Sequence, residues 1–155
     1  MEEESWQPPD WWYRKKRPPN DDAYFENMSR IIFQAGLNWK VIDKKWPTTK
    51  KAFAEFNIEK VSRFTKADVD RLMKDEGIVR NRGKIAAIIQ NAVQFNEIKK
   101  QCGSFKKYID SLDKTKNYSR VIKELTGRFK WLGESSAGTF LYTVGENIEP
   151  WDMPH

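Results

Sequence analysis

Apolar residues recur at spacings of three and four along most of this chain, and no sustained alternation of apolar and polar residues interrupts them. Between Asp21 and Gly36 the stripe runs Tyr24, Met28, Ile31, Ile32, Ala35; Asn20 or Asp21 can cap its start and Gly36 can end it. A longer stripe, from about Gly83 to Lys100, carries Ile85, Ile88, Ile89, Ala92, Val93 and Phe95. This periodicity predicts helices and argues against a sheet. The expected fold class is all-α, a single compact helical domain spanning residues 1–155.

The punctuation between stripes predicts further helices. A short segment from Asn38 to Lys45 is stopped by Pro47, and Thr48 then caps a helix with Ala52, Phe53 and Phe56. Asn57 opens another with Ile58, Val61 and Phe64. Thr65-Lys66-Ala67-Asp68 has capping-box spacing, with Asp where Glu or Gln is usual; its helix carries Val69, Leu72 and Met73 and stops at Gly77. Ser104–Leu112 and Ser119–Leu125 read as shorter helices. Ser135 or Ser136 opens the last, with Ala137, Phe140, Leu141 and Val144 inward. Residues 1–20 read as an irregular arm, because Pro8, Pro9, Pro18 and Pro19 bracket Trp11-Trp12-Tyr13-Arg14-Lys15-Lys16-Arg17. Such an aromatic run is expected to pack onto the body, either as part of a site or simply to cover the core.

Composition narrows the chemistry. Of 155 residues, 39% are apolar and 32% charged, the balance of a soluble globular protein. Lys and Arg outnumber Asp and Glu by 28 to 22, a surplus that suits a polyanionic partner and equally describes many soluble proteins. One cysteine, Cys102, and one histidine, His155, exclude a disulfide framework and a His/Cys metal site. They also leave a Ser-His-Asp or Cys-His pair a poor expectation. No apolar run approaches the roughly 18 residues of a membrane span. The acidic, proline-bearing stretch MEEESWQPPD does not read as a signal peptide. A cytoplasmic, intracellular protein with no membrane partner is expected.

The most informative local segment is Leu72 to Gln90, helix, glycine-flanked turn, helix. Gly77 and Gly83 allow positive φ or close backbone approach. Arg80, Arg82 and Lys84 place three cations beside the amino end of the second helix, with no acid between Gly77 and Lys84. Such a turn can grip a phosphate without reading sequence; a basic surface turn in an ordinary αα-hairpin is the plain alternative.

Phe33-Gln34-Ala35-Gly36-Leu37-Asn38-Trp39, then Lys44-Lys45, then Gly77 through Ile85, resemble the 3-methyladenine DNA glycosylase I family. Asn91-Ala92, Gly103-Ser104-Phe105 and Phe129-Lys130-Trp131-Leu132-Gly133 continue the match in the same order, over roughly Asp21 to Gly145. The resemblance implies a helix-hairpin-helix at about residues 72–90 and removal of alkylated purines, chiefly 3-methyladenine, from double-stranded DNA. It implies a base pocket near Gln34 and Trp39, to which the neighbouring Phe33 and the arm's Trp12 and Tyr13 are added as candidates. Gly36 and Leu37 would lie at the gap left by the flipped nucleotide, and Gly77, Ile78, Arg80, Arg82, Gly83 and Lys84 on the phosphates. Base flipping costs a few kcal/mol, and an indole face attracts a cationic methylpurine by roughly 0.5–2 kcal/mol. A cationic base leaves neutral, so a selective pocket can suffice.

Two departures stand out. The family's zinc clip has no ligands here, so no metal or cofactor is expected; the arm and the tail Pro150-Trp151-Asp152-Met153-Pro154, with Trp6, Trp11 and Trp151, would seal the termini by apolar packing. The family's base-contacting glutamate falls on Ile31, and Glu26 is a weak substitute. No catalytic residue is therefore assigned, and a larger or less polar lesion than 3-methyladenine is one expectation. The leading reading is a monofunctional DNA glycosylase of base excision repair, nucleoid-associated, monomeric, with no required protein partner. Its alternatives are a DNA-binding module that kept the fold without the chemistry and a purely structural helical domain.

Overall fold

The computed structural model describes residues 9–13 and 16–149. Within them the chain forms eight α-helices and no strand: α1 (Asp21–Gln34), α2 (Trp39–Ala52), α3 (Ile58–Ser62), α4 (Lys66–Met73), α5 (Arg82–Cys102), α6 (Phe105–Asp110), α7 (Thr115–Arg128) and α8 (Glu134–Thr143). The all-α expectation holds, and most boundaries follow the caps read from the sequence. Asn20 accepts from the Ala23 amide, Asn57 from Lys60 and Ser104 from Lys107, while Asn81, not placed by sequence reading, caps α5 by accepting from Lys84. The Thr65/Asp68 capping box is present in both directions.

Helix α1 is the hub, packed against α2, α3, α5, α6 and α8. Its inner face and that of α5 meet in an aromatic core, where Phe25 and Phe95 lie 5.5 Å apart between ring centroids and Phe95 and Phe105 4.6 Å apart. Tyr24, Met28 and Ile32 complete the α1 face, each almost fully buried.

One expected break is absent. α2 continues through Pro47 to Ala52 instead of stopping. Proline removes the N–H that would bond the Asp43 carbonyl, yet the helix runs on, and the Thr49 hydroxyl back-bonds to Lys45 O at 2.7 Å. The expected Thr48 helix is replaced by the end of α2 and a short turn, Ala54–Phe56, whose three residues all have φ between 53° and 59°. Left-handed backbone at non-glycine residues costs roughly 1–3 kcal/mol each. Here it seats Phe56 in a stack, parallel to Trp46 at 5.2 Å and to Phe53 at 5.4 Å. A second left-handed turn, Lys116 to Tyr118, precedes the expected Ser119 helix.

The arm does pack onto the body. Tyr13 N donates to Thr143 O at 2.7 Å, and Trp12 meets Tyr142 edge-on at 5.5 Å. Charge also joins segments near the two ends of the described residues. Arg17 makes two bonds to Asp110, at 2.9 and 3.0 Å, and one contact to Glu146 at 2.9 Å. Lys114 reaches Asp110 at 2.9 Å and Glu146 at 2.7 Å, and Tyr118 Oη donates to Glu146 at 3.0 Å. Side-chain hydrogen bonds from Arg17 hold the Asp110 carboxyl down at about 2. The tryptophans at 6 and 151, Arg14, Lys15 and the tail from Pro150 lie outside the described residues.

Candidate nucleic-acid interface and base cavity

The hairpin connects α4 to α5 and rests on α2. Ile78 is buried at its centre, so its side chain anchors the turn and any phosphate contact at this position falls to the backbone. Gly77 and Gly83 serve close approach, not positive φ. A Cβ on Gly77 would lie 2.9 Å from Thr48 Cβ, and one on Gly83 2.8 Å from Trp131 Cζ2. The Thr48 hydroxyl donates to Gly77 O, and Lys45 Nζ to Glu76 O at 3.2 Å, fixing the turn from the α2 side.

Asn81 caps α5 by accepting from Lys84 N at 3.1 Å, while Ile85 N donates to Asn81 O at 2.9 Å. The Arg82 and Gly83 amides at the first turn have no intrahelical acceptor and lie at the positive end of a long helix. Arg80 and Arg82 are exposed beside them, with Arg82 only loosely paired to Asp70 at 3.5 Å. This much fits a phosphate grip.

Lys84 turns the other way. Its side chain is buried, and Nζ donates to Phe33 O at 3.2 Å and Ala35 O at 2.8 Å. The phosphate role expected of it is corrected: it is a C-terminal cap on α1 supplied by α5. Burial lowers the pKa of its ammonium. The turn it fastens, Ala35 to Asn38, leads into α2; Gly36 has φ +78° and Leu37 is 44% exposed. Leu37 is thus held out from a turn whose other end is tied to the hairpin helix.

Beside this turn lies a cavity of about 710 Å³ between the arm, α1 and α2, lined by Pro9, Asp10, Trp11, Trp12, Arg30, Gln34, Trp39, Asp43, Trp46 and Pro47. Of the expected pocket residues it gathers Trp39, Gln34 and Trp12. Trp39 is 56% exposed and stands at the mouth, whereas Trp46, 6% exposed, lies deep in the wall. Phe33 is excluded: it is buried in the core against Trp46 and Phe53. Tyr13 is half-buried outside the lining, its pKa raised by burial and by the Glu26 carboxylate. Ile31 is not in the wall either. The α1 positions that face the cavity are Arg30 and Gln34, four apart and so on one face, while Ile31 points to the core.

Sequence reading missed Trp11, Arg30, Asp43 and Trp46. Trp39, Asp43 and Trp46 share one face of α2 at spacings of four and three, a signal lost by ending that helix at Pro47. Arg30 is 6% exposed, with its guanidinium 4.6 Å from the Trp11 ring centroid and 5.1 Å from that of Trp46. Its Nη2 donates to Asp43 Oδ1 at 2.7 Å, and its buried Nε has no partner. Burial lowers its pKa, with Asp43 opposing that shift. Trp46 Nε1 donates to Glu26 Oε2 at 2.9 Å, which spends the α1 carboxylate nearest the cavity on the wall itself.

A model of the family described as methyladenine glycosylase matches residues 10–136, which contain the hairpin and all of the cavity lining except Pro9. The chain belongs to that family. It is 28% identical to a DNA-3-methyladenine glycosylase of Haemophilus influenzae, with 72% of this chain aligned to 70% of that one. It is 48% identical to DNA-3-methyladenine glycosylase 1 of Escherichia coli over a shorter stretch, 38% of this chain and 32% of the relative. The fold superposes on 3-methyladenine DNA glycosylase I from Staphylococcus aureus with a TM-score of 0.75 and 27% identity, over 93% of this chain and 88% of the other.

The zinc clip implied by the family resemblance does not fit the residues present. Cys102 is half-buried at the end of α5, and among the described residues no three His, Cys, Asp or Glu side chains cluster closely enough to hold an ion.

Proposed function

We propose that this protein is a monofunctional DNA glycosylase of base excision repair, hydrolysing the N-glycosidic bond of damaged purines, alkylated ones such as 3-methyladenine among them, after flipping them from duplex DNA. The observation that carries this reading is the tryptophan-lined cavity beside the exposed Leu37 turn, which Lys84 fastens to the hairpin helix.

The parts divide the work. The Arg82 and Gly83 amides, with Arg80 and Arg82, bind backbone phosphate and set register without reading bases. Leu37, presented by Gly36, occupies the gap in the unstacked duplex. The extruded base enters between Trp39 at the mouth and Trp12 and Trp11 on the arm, with Trp46 deeper. Asp43, in the cavity lining with its side chain 60% exposed, is in this reading the carboxylate that stabilises the positive charge developing on the sugar as the bond breaks and orients the attacking water. The protein acts as a monomer, needs no protein partner, and works where DNA is, at the nucleoid. No helix in the described residues is long and apolar enough to cross a membrane.

The test is incubation with alkylated duplex, reading free bases and abasic sites. Release above the buffer rate, lost in Asp43→Asn while duplex binding persists, supports the reading. Duplex binding without release over a panel of methylated, etheno and deaminated purines would leave the non-catalytic binder, which the diversion of Glu26 to Trp46 favours.

A further inference from the structure

One stretch of the chain has no part in the function described above: Phe129-Lys130-Trp131-Leu132-Gly133, between α7 and α8. Within it Phe129 and Leu132 are buried, yet Trp131 is 54% exposed. Its backbone is left-handed, with φ +58°, a conformation that a non-glycine residue keeps only where its surroundings impose it. Here they do. The buried Asn91 of α5 donates from Nδ2 to Lys130 O at 3.1 Å and accepts at Oδ1 from Lys130 N at 2.7 Å, and Phe129 packs on Phe95 at 5.3 Å between ring centroids. The exposed indole has a seat as well. It lies against Gly83, where an added Cβ would come within 2.8 Å of Trp131 Cζ2. The ring is thereby held at the amino end of α5, with exposed Arg82 next to Gly83 in the chain and exposed Lys130 next to Trp131. Glu134, the only acid between Gly127 and Ala137, opens α8, whose own amino end answers its charge.

Single exposed apolar side chains are ordinary on a protein surface. This one differs in being pinned by strained backbone and seated on the first turn of the helix that offers free amides. A phosphate grip does not by itself need an indole. A partner that fits this face must carry an anion with apolar surface directly beside it, and a nucleic-acid strand does, each phosphate being flanked by a sugar with an apolar C–H face. We infer that Trp131 is a DNA-binding residue, packing on the deoxyribose next to the phosphate held at the amino end of α5. This rests on the duplex-binding part of the function proposed above and adds a component to it. Amides and cations give an attraction that salt weakens, whereas contact between an indole and a sugar face is apolar and persists as salt rises. It also gives Gly83 a reason. With no positive φ to accommodate, the glycine is there to let the ring lie close.

Undamaged duplex DNA is the probe. In protein labelled with 5-fluorotryptophan, the fluorine signal missing from Trp131→Phe identifies this residue, and that signal should shift when duplex is added. Trp131→Ala should weaken duplex affinity about tenfold, the loss expected when about 50 Å² of apolar contact is removed. The slope of log affinity against log salt should stay that of wild type, because no cation is lost. Gly83→Ala keeps the amide but fills the seat of the ring, so it should weaken binding to a similar extent alone and add nothing in the Trp131→Ala background. Urea melts of each variant separate loss of binding from loss of fold. An unmoved Trp131 signal with duplex bound, wild-type affinity in Trp131→Ala, or a salt slope lowered by that substitution would overturn the assignment and leave the amides and cations as the whole grip. Failure of the wild-type protein to bind duplex would sink the DNA reading itself, and this inference with it.

Discussion

The hairpin and the cavity lie on either side of Lys84, and they are built by different rules. The hairpin is local: a capping box, a helix of eight residues, a turn bounded by Gly77 and Gly83, and a capped α5 follow one another within about forty residues. The cavity is assembled from three separate segments, the arm, α1 and α2, and its deepest members, Trp46 and Arg30, are defined by what packs on them. A phosphate grip needs only backbone amides and loose cations, whereas a base pocket needs an enclosed shape. The two therefore place different demands on the fold, and substitutions should separate them.

The largest effect is expected where the regions meet. Lys84→Met removes the donor to the Phe33 and Ala35 carbonyls at the end of α1, costing about 1–3 kcal/mol of stability. It should depress both duplex affinity and base release, read by urea melts, binding isotherms and turnover. Loss of stability alone, with both activities intact, would show that the α1 cap does not couple the regions.

Trp39→Ala comes next and should split them. Losing one stacking face is worth about 1–3 kcal/mol, so base release at saturating enzyme should drop by roughly tenfold or more with duplex affinity little changed. Its mirror is Arg80→Ala, expected to weaken duplex binding uniformly across sequences and to lower the salt slope by about one, with release from bound duplex unaltered. If the two variants behaved alike, the division between grip and pocket would fail.

How much of this was legible follows the same divide. Periodicity and caps placed α1, α3, α4, α5 and α8 because those signals are written within a few residues of where they act. Pro47 misled, since α2 runs through it to Ala52, its far half held by Trp46 packing against Phe33 and Phe56, contacts the local sequence does not display. Lys84 read as a phosphate ligand because it joins Arg80 and Arg82 in an acid-free run at the start of α5; that it points inward is decided by α1 passing behind it. Ile31 took the place of a pocket residue by alignment, yet the cavity-facing positions are 30 and 34. Arg30 carried no local signal at all, being a cation on a mostly apolar helix with its partners in the arm and α2.

The smallest effect concerns the clasp, away from both regions. Asp110 has its carboxyl held at about 2, below the roughly 3.9 of an unfolded aspartate. Its contribution is fully present above about pH 4 and is lost as pH falls toward 2. Asp110→Asn should remove that part of the acid dependence and leave base release at neutral pH unchanged; an acid melt identical to wild type would show the clasp to be incidental.

The central claim is that the tryptophan-lined cavity is where a flipped purine is cut from DNA. The direct test is release of free purines and formation of abasic sites in duplex carrying alkylated and deaminated bases, comparing wild type with the Trp12→Ala/Trp39→Ala double variant at saturating protein. Release above the buffer rate by wild type, falling to that rate in the double variant while duplex binding persists, is predicted. Equal release by both proteins would place the chemistry outside this cavity.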